Sequence, residues 1–138
     1  MPLIDRQNAA LLLIDFQSRL MPAIDGVAAV IANARRLMQA ARMFSVPVLF
    51  TEENPQGLGG TLAELEPDRS PIAHKMTFDA CLSSDFQERF SQRRDLVVAG
   101  CEAHVCVLQT VVSPCQAATV GRAWPVAVDG LWTWSMQH

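Results

Sequence analysis

Residues Ala9–Ile14 (Ala-Ala-Leu-Leu-Leu-Ile) form an unbroken apolar run that stops abruptly at Asp15. A run this short, without the polar alternation of a half-solvated strand, fits a strand buried on both faces. A central strand of a parallel sheet, covered by helices above and below, meets that description. Val46–Phe50 and Asp95–Gly100 repeat the pattern, Pro71–Lys75 reads as a shorter strand, and Pro125–Asp129 as a last one. Between the first two strands, Val27, Val30, Ile31, Ala34, Leu37, Met38, Ala41 and Phe44 recur at helical spacing. Arg35, Arg36, Gln39 and Arg42 fall largely on the opposite side, and Asp25 is the expected N-cap. Ser84-Asp85-Phe86-Gln87 resembles a capping box opening a helix through Phe90, and a further helix starts at Val105. Thr51–Ser70, rich in proline and glycine, reads as a long loop with a short helix around Thr61–Leu65. Strands alternating with helices predict an α/β fold, a three-layer αβα arrangement with a mostly parallel, Rossmann-like central sheet.

A chain of 138 residues points to one domain, 1–138, and half of its residues are apolar, enough for a core without metal or disulfide staples. Its net charge is −3 and no basic stripe is present, which excludes nucleic acid as an expected partner. No apolar stretch approaches the length of a membrane span, and Met1–Asn8 lacks the pattern of a signal peptide. The expected setting is the cytoplasm, with free thiols at Cys81, Cys101, Cys106 and Cys115.

In doubly wound sheets, chemistry gathers beyond the carboxyl ends of the strands. Asp15 sits at such an end. It is either a cap on the following turn or a partly buried carboxylate able to take a proton. Gly100-Cys101-Glu102-Ala103-His104-Val105-Cys106 leads from a strand through a turn into a helix, which puts Cys106 near a helix N-terminus. Free N–H groups and the dipole there favour a thiolate, and Lys75 nearby would add to this; a buried structural cysteine is the competing reading. Lys75 alone reads as a solvated surface group and gains meaning only if it converges with Asp15. Cys81, Cys101 and Cys115 have no such setting and read as packing residues. Gly57-Leu58-Gly59-Gly60 lacks the features of a P-loop or dinucleotide fingerprint, and His74, His104 and His138 form no ligand cluster in sequence.

Four segments together resemble the isochorismatase-like cysteine hydrolase superfamily: Leu11–Gln17 (LLLIDFQ), Thr51–Leu65 (TEENPQGLGGTLAEL), His74–Cys81 (HKMTFDAC) and Leu96–Thr110 (LVVAGCEAHVCVLQT). The resemblance implies a catalytic triad of Cys106 as nucleophile, Asp15 as proton acceptor and Lys75 as electrostatic partner. It also implies a cis peptide joining Cys101 to Glu102, with the backbone N–H groups of Glu102 and Cys106 facing the oxyanion. The implied activity is cleavage of a C–N bond in a small amide through a cysteine thioester, with no cofactor and a small-molecule substrate. Nicotinamidases of this superfamily hold a metal through Asp and His residues after the second strand. Thr51-Glu52-Glu53-Asn54-Pro55 has no histidine, so no metal is expected. Relatives usually continue after Thr110 with a helix, a strand, a further helix and an edge strand, and Ser113-Pro114 is expected to interrupt the first of these. The last helix and strand are expected to be missing, and the large side chains Trp124, Leu131, Trp132 and Trp134 to bury against a second copy in a homo-oligomer. The alternative is a non-catalytic oligomeric member of the fold with a packing, regulatory or redox-thiol role.

Overall fold

In the computed structural model, which describes residues 4–90, 95–101, 103–112 and 122–125, the apolar run Ala9–Ile14 is strand β1 and is buried throughout. The other strands are β2 (Val48–Glu53), β3 (Ile72–Lys75), β4 (Asp95–Gly100) and β5 (Arg122–Pro125). They form one sheet in the order β3-β2-β1-β4-β5, with every pairing parallel. β1 lies at the centre, buried at every position, and its neighbours β2 and β4 are buried nearly throughout. The register aligns Ile14 with Thr51 and with Gly100, and Glu53 with Lys75. The carboxyl ends of four strands therefore emerge along one edge.

The two faces carry separate cores. Leu11, Leu13, Val48, Phe50 and Ala99 meet helix α1 (Val27–Met43) through Val30, Ala34, Met38 and Ala41. Ala10, Leu12, Ile14, Leu49, Ala73, Leu96 and Val98 meet Ala80, Cys81, Phe86, Cys106 and Val107 on the other. That second layer is built from helix α3 (Ser84–Phe90) and a helical segment that opens with a π-helical turn (Ala103–Val107) and continues as α4 (Leu108–Val112). Helices thus cover both faces, completing the three-layer architecture. A short helix α2 (Pro55–Leu58) follows β2. No helix among the described residues is long and apolar enough to cross a membrane.

Gly100 ties the second layer to the sheet. A Cβ there would come within 2.8 Å of both Ile14 Cβ and Val107 Cγ2, closer than real Cβ atoms approach. Only glycine lets the π-helical turn settle on β1.

Local details depart from the sequence pattern. The N-cap of α1 is Gly26, in the left-handed region at φ 64°, and not Asp25; no side chain caps this end. The turn into the helix uses a conformation that glycine adopts without steric cost. The capping hydroxyl of α3 belongs to Ser83, whose Oγ accepts from the Phe86 N–H at 3.3 Å, rather than to Ser84. Gln87 donates instead to the Cys81 carbonyl. The long loop loses its start to β2, which runs through Thr51, Glu52 and Glu53, and the helix expected near Thr61–Leu65 is a single 3₁₀ turn, Ala63–Leu65. The last strand lies at Arg122–Pro125, upstream of its expected span, of which residues 126–129 fall outside the described residues. The helix expected from Val105 already begins at Ala103. Cys81 is disulfide-bonded, not the free packing thiol expected of it. Cys115, Leu131, Trp132 and Trp134 lie outside the described residues, as does the side chain of Trp124.

Candidate active site

Asp15 leaves β1 in a left-handed conformation, φ 59°. This region is uncommon for a residue with a Cβ, although Asp tolerates it better than most. The local backbone supports it: the Asp15 N–H donates to Thr51 O at 3.2 Å, and the Asp15 carbonyl accepts from the Gln17 N–H at 2.9 Å. Strict strand alternation after Ile14 would send Asp15 toward α1. The left-handed turn brings it instead to the side of the sheet that holds Thr51, Glu53 and Lys75. Its carboxylate is fully buried there, Oδ1 accepting from Thr51 Oγ1 at 2.8 Å and Oδ2 from Lys75 Nζ at 2.9 Å.

Lys75 closes β3 and is buried, against the solvated reading of an isolated lysine. Its ammonium donates to Asp15 Oδ2 and to Glu53 Oε2, both at 2.9 Å, and to Thr77 O at 3.0 Å, with Phe78 O at 3.4 Å. Burial pushes its pKa down, but the charge of Asp15 and the hydrogen bonds to Asp15 and Glu53 outweigh burial, so the net shift is upward. An ammonium with three N–H groups and these acceptors has its donors used up.

Cys106, in the π-helical turn, has a buried free thiol. Its Sγ is 3.8 Å from Glu53 Oε2, and the ligand atoms of Asp15, Glu53 and Cys106 all lie within 4.8 Å of one another. Asp15, Lys75 and Cys106, distant in sequence, are thus brought together. The thiol's acidity is opposite to the sequence expectation. Burial, the charge of Asp15, a hydrogen bond to it, and the charge of Glu53 push the pKa well up; Lys75 pulls down and loses. Two negative groups face one positive group in a water-poor site, and burial itself disfavours a thiolate. Glu102, the expected companion N–H for the oxyanion, and the peptide bond joining it to Cys101 lie outside the described residues. Cys101 is buried on the α1 side, its Sγ 3.0 Å from Met21 Sδ.

Glu53 is the site residue that sequence reasoning missed. Acidic residues are depleted in strands, and an Asn-Pro follows, so the segment reads as loop. The available signal is the period of two: once β2 continues past Phe50, Thr51 and Glu53 share a face, and both reach the Asp15–Lys75 pair. Gln17 is a second omission. Buried completely, its Nε2 donates to Glu53 O at 2.9 Å and to Gly59 O at 2.7 Å, while its Oε1 accepts from the Glu53 N–H at 2.8 Å. A side-chain amide here pairs with the backbone of Glu53 just beyond the last β1–β2 register pair.

Asp15, Glu53 and Cys106 would be close enough to share a cation. Lys75 already supplies a positive charge bonded to both carboxylates, and a metal ion would have to displace it. With a neutral thiol, the cluster of Asp15, Glu53 and Lys75 carries one net negative charge.

A family model described as the isochorismatase domain matches residues 9–117. Isochorismatase domain-containing protein 2 of Danio rerio is 31% identical over 110 residues, covering 78% of this chain and 55% of the relative. The chain thus spans about half the length of that relative. The MAR1 ribonuclease of Caenorhabditis elegans superposes with a TM-score of 0.77 at 30% identity, over 92% of this chain and 69% of that one. The YcaC gene product of Escherichia coli, described as an octameric hydrolase of unknown specificity, gives 0.75 at 25% identity, over 89% and 63%.

Proposed function

This chain belongs to the isochorismatase family, whose hydrolase chemistry is the premise from which we propose that it is a cysteine hydrolase cleaving the C–N bond of a small amide. The observation that carries this reading is the convergence of a free thiol, a buried carboxylate and a buried lysine at the carboxyl edge of a parallel sheet. The Cys106 proton passes to the Asp15 carboxylate as Sγ attacks the carbonyl carbon. The oxyanion is received by the backbone N–H groups of Glu102 and Cys106. Asp15 returns the proton to the leaving nitrogen as the C–N bond breaks, leaving a thioester. Water then adds to the thioester, giving its proton to Asp15. The C–S bond breaks, the acid leaves, and the thiol is re-formed. Lys75 stays protonated throughout and holds Asp15 in place. The raised thiol pKa fits this order of events: the proton is removed during attack, and the resting enzyme holds the thiol neutral.

The name of the Caenorhabditis neighbour raises phosphodiester cleavage as a substrate class. A polyanion would meet a chain of net charge −3 and a site with a surplus carboxylate, so the amide reading is favoured. The octameric neighbour supports homo-oligomer formation here.

Incubation with a panel of small primary amides, followed by intact-mass measurement, tests the reading. An acyl adduct on Cys106, absent in Cys106→Ala, is the expected result. In Asp15→Asn, turnover should drop by about 10²–10⁴-fold, the usual contribution of a positioned base. Iodoacetamide should modify Cys106 faster than Cys101. Equal slow modification and no adduct from any amide would leave the non-catalytic alternative, which the raised thiol pKa also accommodates.

A further inference from the structure

We infer that Glu53 sets the charge selectivity of this site: its carboxylate receives an N–H of an uncharged amide substrate and turns away substrates that present a carboxylate beside the reacting carbon. The inference rests on Cys106 being the reacting group, as proposed above. Three observations carry it. Glu53 Oε2 sits 3.8 Å from Cys106 Sγ, so any molecule reaching the sulfur passes within contact of this side chain. The Glu53 side chain is 13% exposed, against 1% for those of Asp15 and Lys75, which makes it the charged group of the cluster that an incoming molecule meets. Its Oε2 is used by Lys75 and the thiol, whereas among the described residues nothing donates to Oε1. A carboxylate oxygen without a donor in a mostly buried position is a place for a ligand N–H.

The cation beside it offers an anion nothing. Lys75 is the cation in contact with the cluster among the described residues, and its donors already serve Asp15, Glu53 and Thr77. A substrate carboxylate arriving beside Sγ would face the surplus negative charge with no N–H of Lys75 left to bind it. An amide group of the same shape would instead give a hydrogen bond to Glu53.

Iodoacetamide and iodoacetate differ in just this way, one carrying an amide and the other a carboxylate beside the same reactive carbon. Their rates at Cys106 can be read from the mass of the peptide that contains it. The ratio of the two rates cancels the ionisation of the thiol, and the urea-unfolded chain supplies the reference ratio. In the folded protein the ratio should exceed the reference by about tenfold, the scale of one unit charge acting near a protein surface. It should shrink as salt is added. Glu53→Gln should bring it back to within about threefold of the reference, and Glu53→Asp, with a shorter reach, to an intermediate value. Glu52→Gln, one residue away on the opposite face, should leave it unchanged. A folded-state ratio equal to the reference, or one that Glu53→Gln leaves intact, overturns the inference. If Glu53→Gln fails to fold, Glu53→Asp decides the matter: a ratio equal to the wild-type value overturns the inference. Failure of the hydrolase reading looks different: the ratio and its dependence on Glu53 would stand, but no amide would yield an acyl adduct.

Discussion

Glu52 and Glu53 are neighbours on one strand and have opposite surroundings. Glu52 Oε1 accepts from the backbone N–H of Thr61 at 2.7 Å and from its hydroxyl at 2.9 Å, and Oε2 pairs with His74 Nε2 at 3.2 Å. These contacts fasten the loop after α2 to the sheet edge, and His74, with 61% of its side chain exposed, stays in solvent. Glu53 faces the other way, into Lys75 and the Cys106 thiol. The pairing register of β2 with β3 repeats the division, Glu52 opposite His74 and Glu53 opposite Lys75. An acid and a base thus pair on each face, a buried acid with a base left in solvent on one and a mostly buried acid with a buried base on the other. The exposure of the base is what separates them: His74 lies 61% exposed and Lys75 1%, whereas both glutamates are mostly buried, Glu52 at 7% and Glu53 at 13%. A charge pair that water can reach is worth little, and one that water cannot reach must be matched closely.

That contrast can be broken most forcefully at Lys75. Lys75→Met keeps the bulk and leaves Asp15 and Glu53 without their cation, at an expected cost of about 3–5 kcal/mol in urea unfolding. A loss below about 1 kcal/mol would mean that the buried Lys75 pairs are no more demanding than the half-exposed His74 pair. Gln17→Leu comes next. It strips hydrogen-bond partners from the Glu53 backbone N–H and carbonyl, and each orphaned buried group costs about 1–3 kcal/mol. The charge selectivity at Cys106 should weaken with it, because the Glu53 carboxylate loses its placement.

Alkaline titration sharpens the comparison further. Lys75 and Cys106 both hold their protons more tightly when folded than their ordinary values of 10.5 and 9.0. Above about pH 9 the unfolded chain begins to release the Cys106 proton while the folded chain keeps it, so unfolding is favoured as pH rises. Stability contributed by both groups is complete below their ordinary values and declines through the alkaline range, by at most about 1.4 kcal/mol per pH unit for each group. Urea unfolding at pH 8 and pH 10 should show the decline, and Cys106→Ala should make it shallower. The smallest effect belongs to the exposed base: His74→Ala should change stability by less than about 1 kcal/mol.

Much of this molecule is legible in the residues alone. The run Ala9–Ile14 fits two-sided burial and so a central parallel strand, and the helical spacing from Val27 onward demands α1. Apolar periodicity is a local property, and the strands and helices that it marks keep their identity wherever they pack. The pattern around Asp15, Lys75 and Cys106 marks them as candidates, but no local property says that they meet. Their meeting depends on strand order and register, which bring β3 beside β2 and β2 beside β1. Glu53 is invisible for the same reason: its strand extends past Phe50 because β1, β3 and the Gln17 amide supply hydrogen-bond partners, not because its own sequence favours a strand. The direction of the thiol's pKa shift was also a tertiary matter. The helix start and the lysine can be foreseen along the chain. The burial and the second carboxylate that outweigh them come from segments 53 and 91 positions away in sequence. Charge effects act through space and depend on how far water is excluded, and neither distance nor exclusion exists until the layers close.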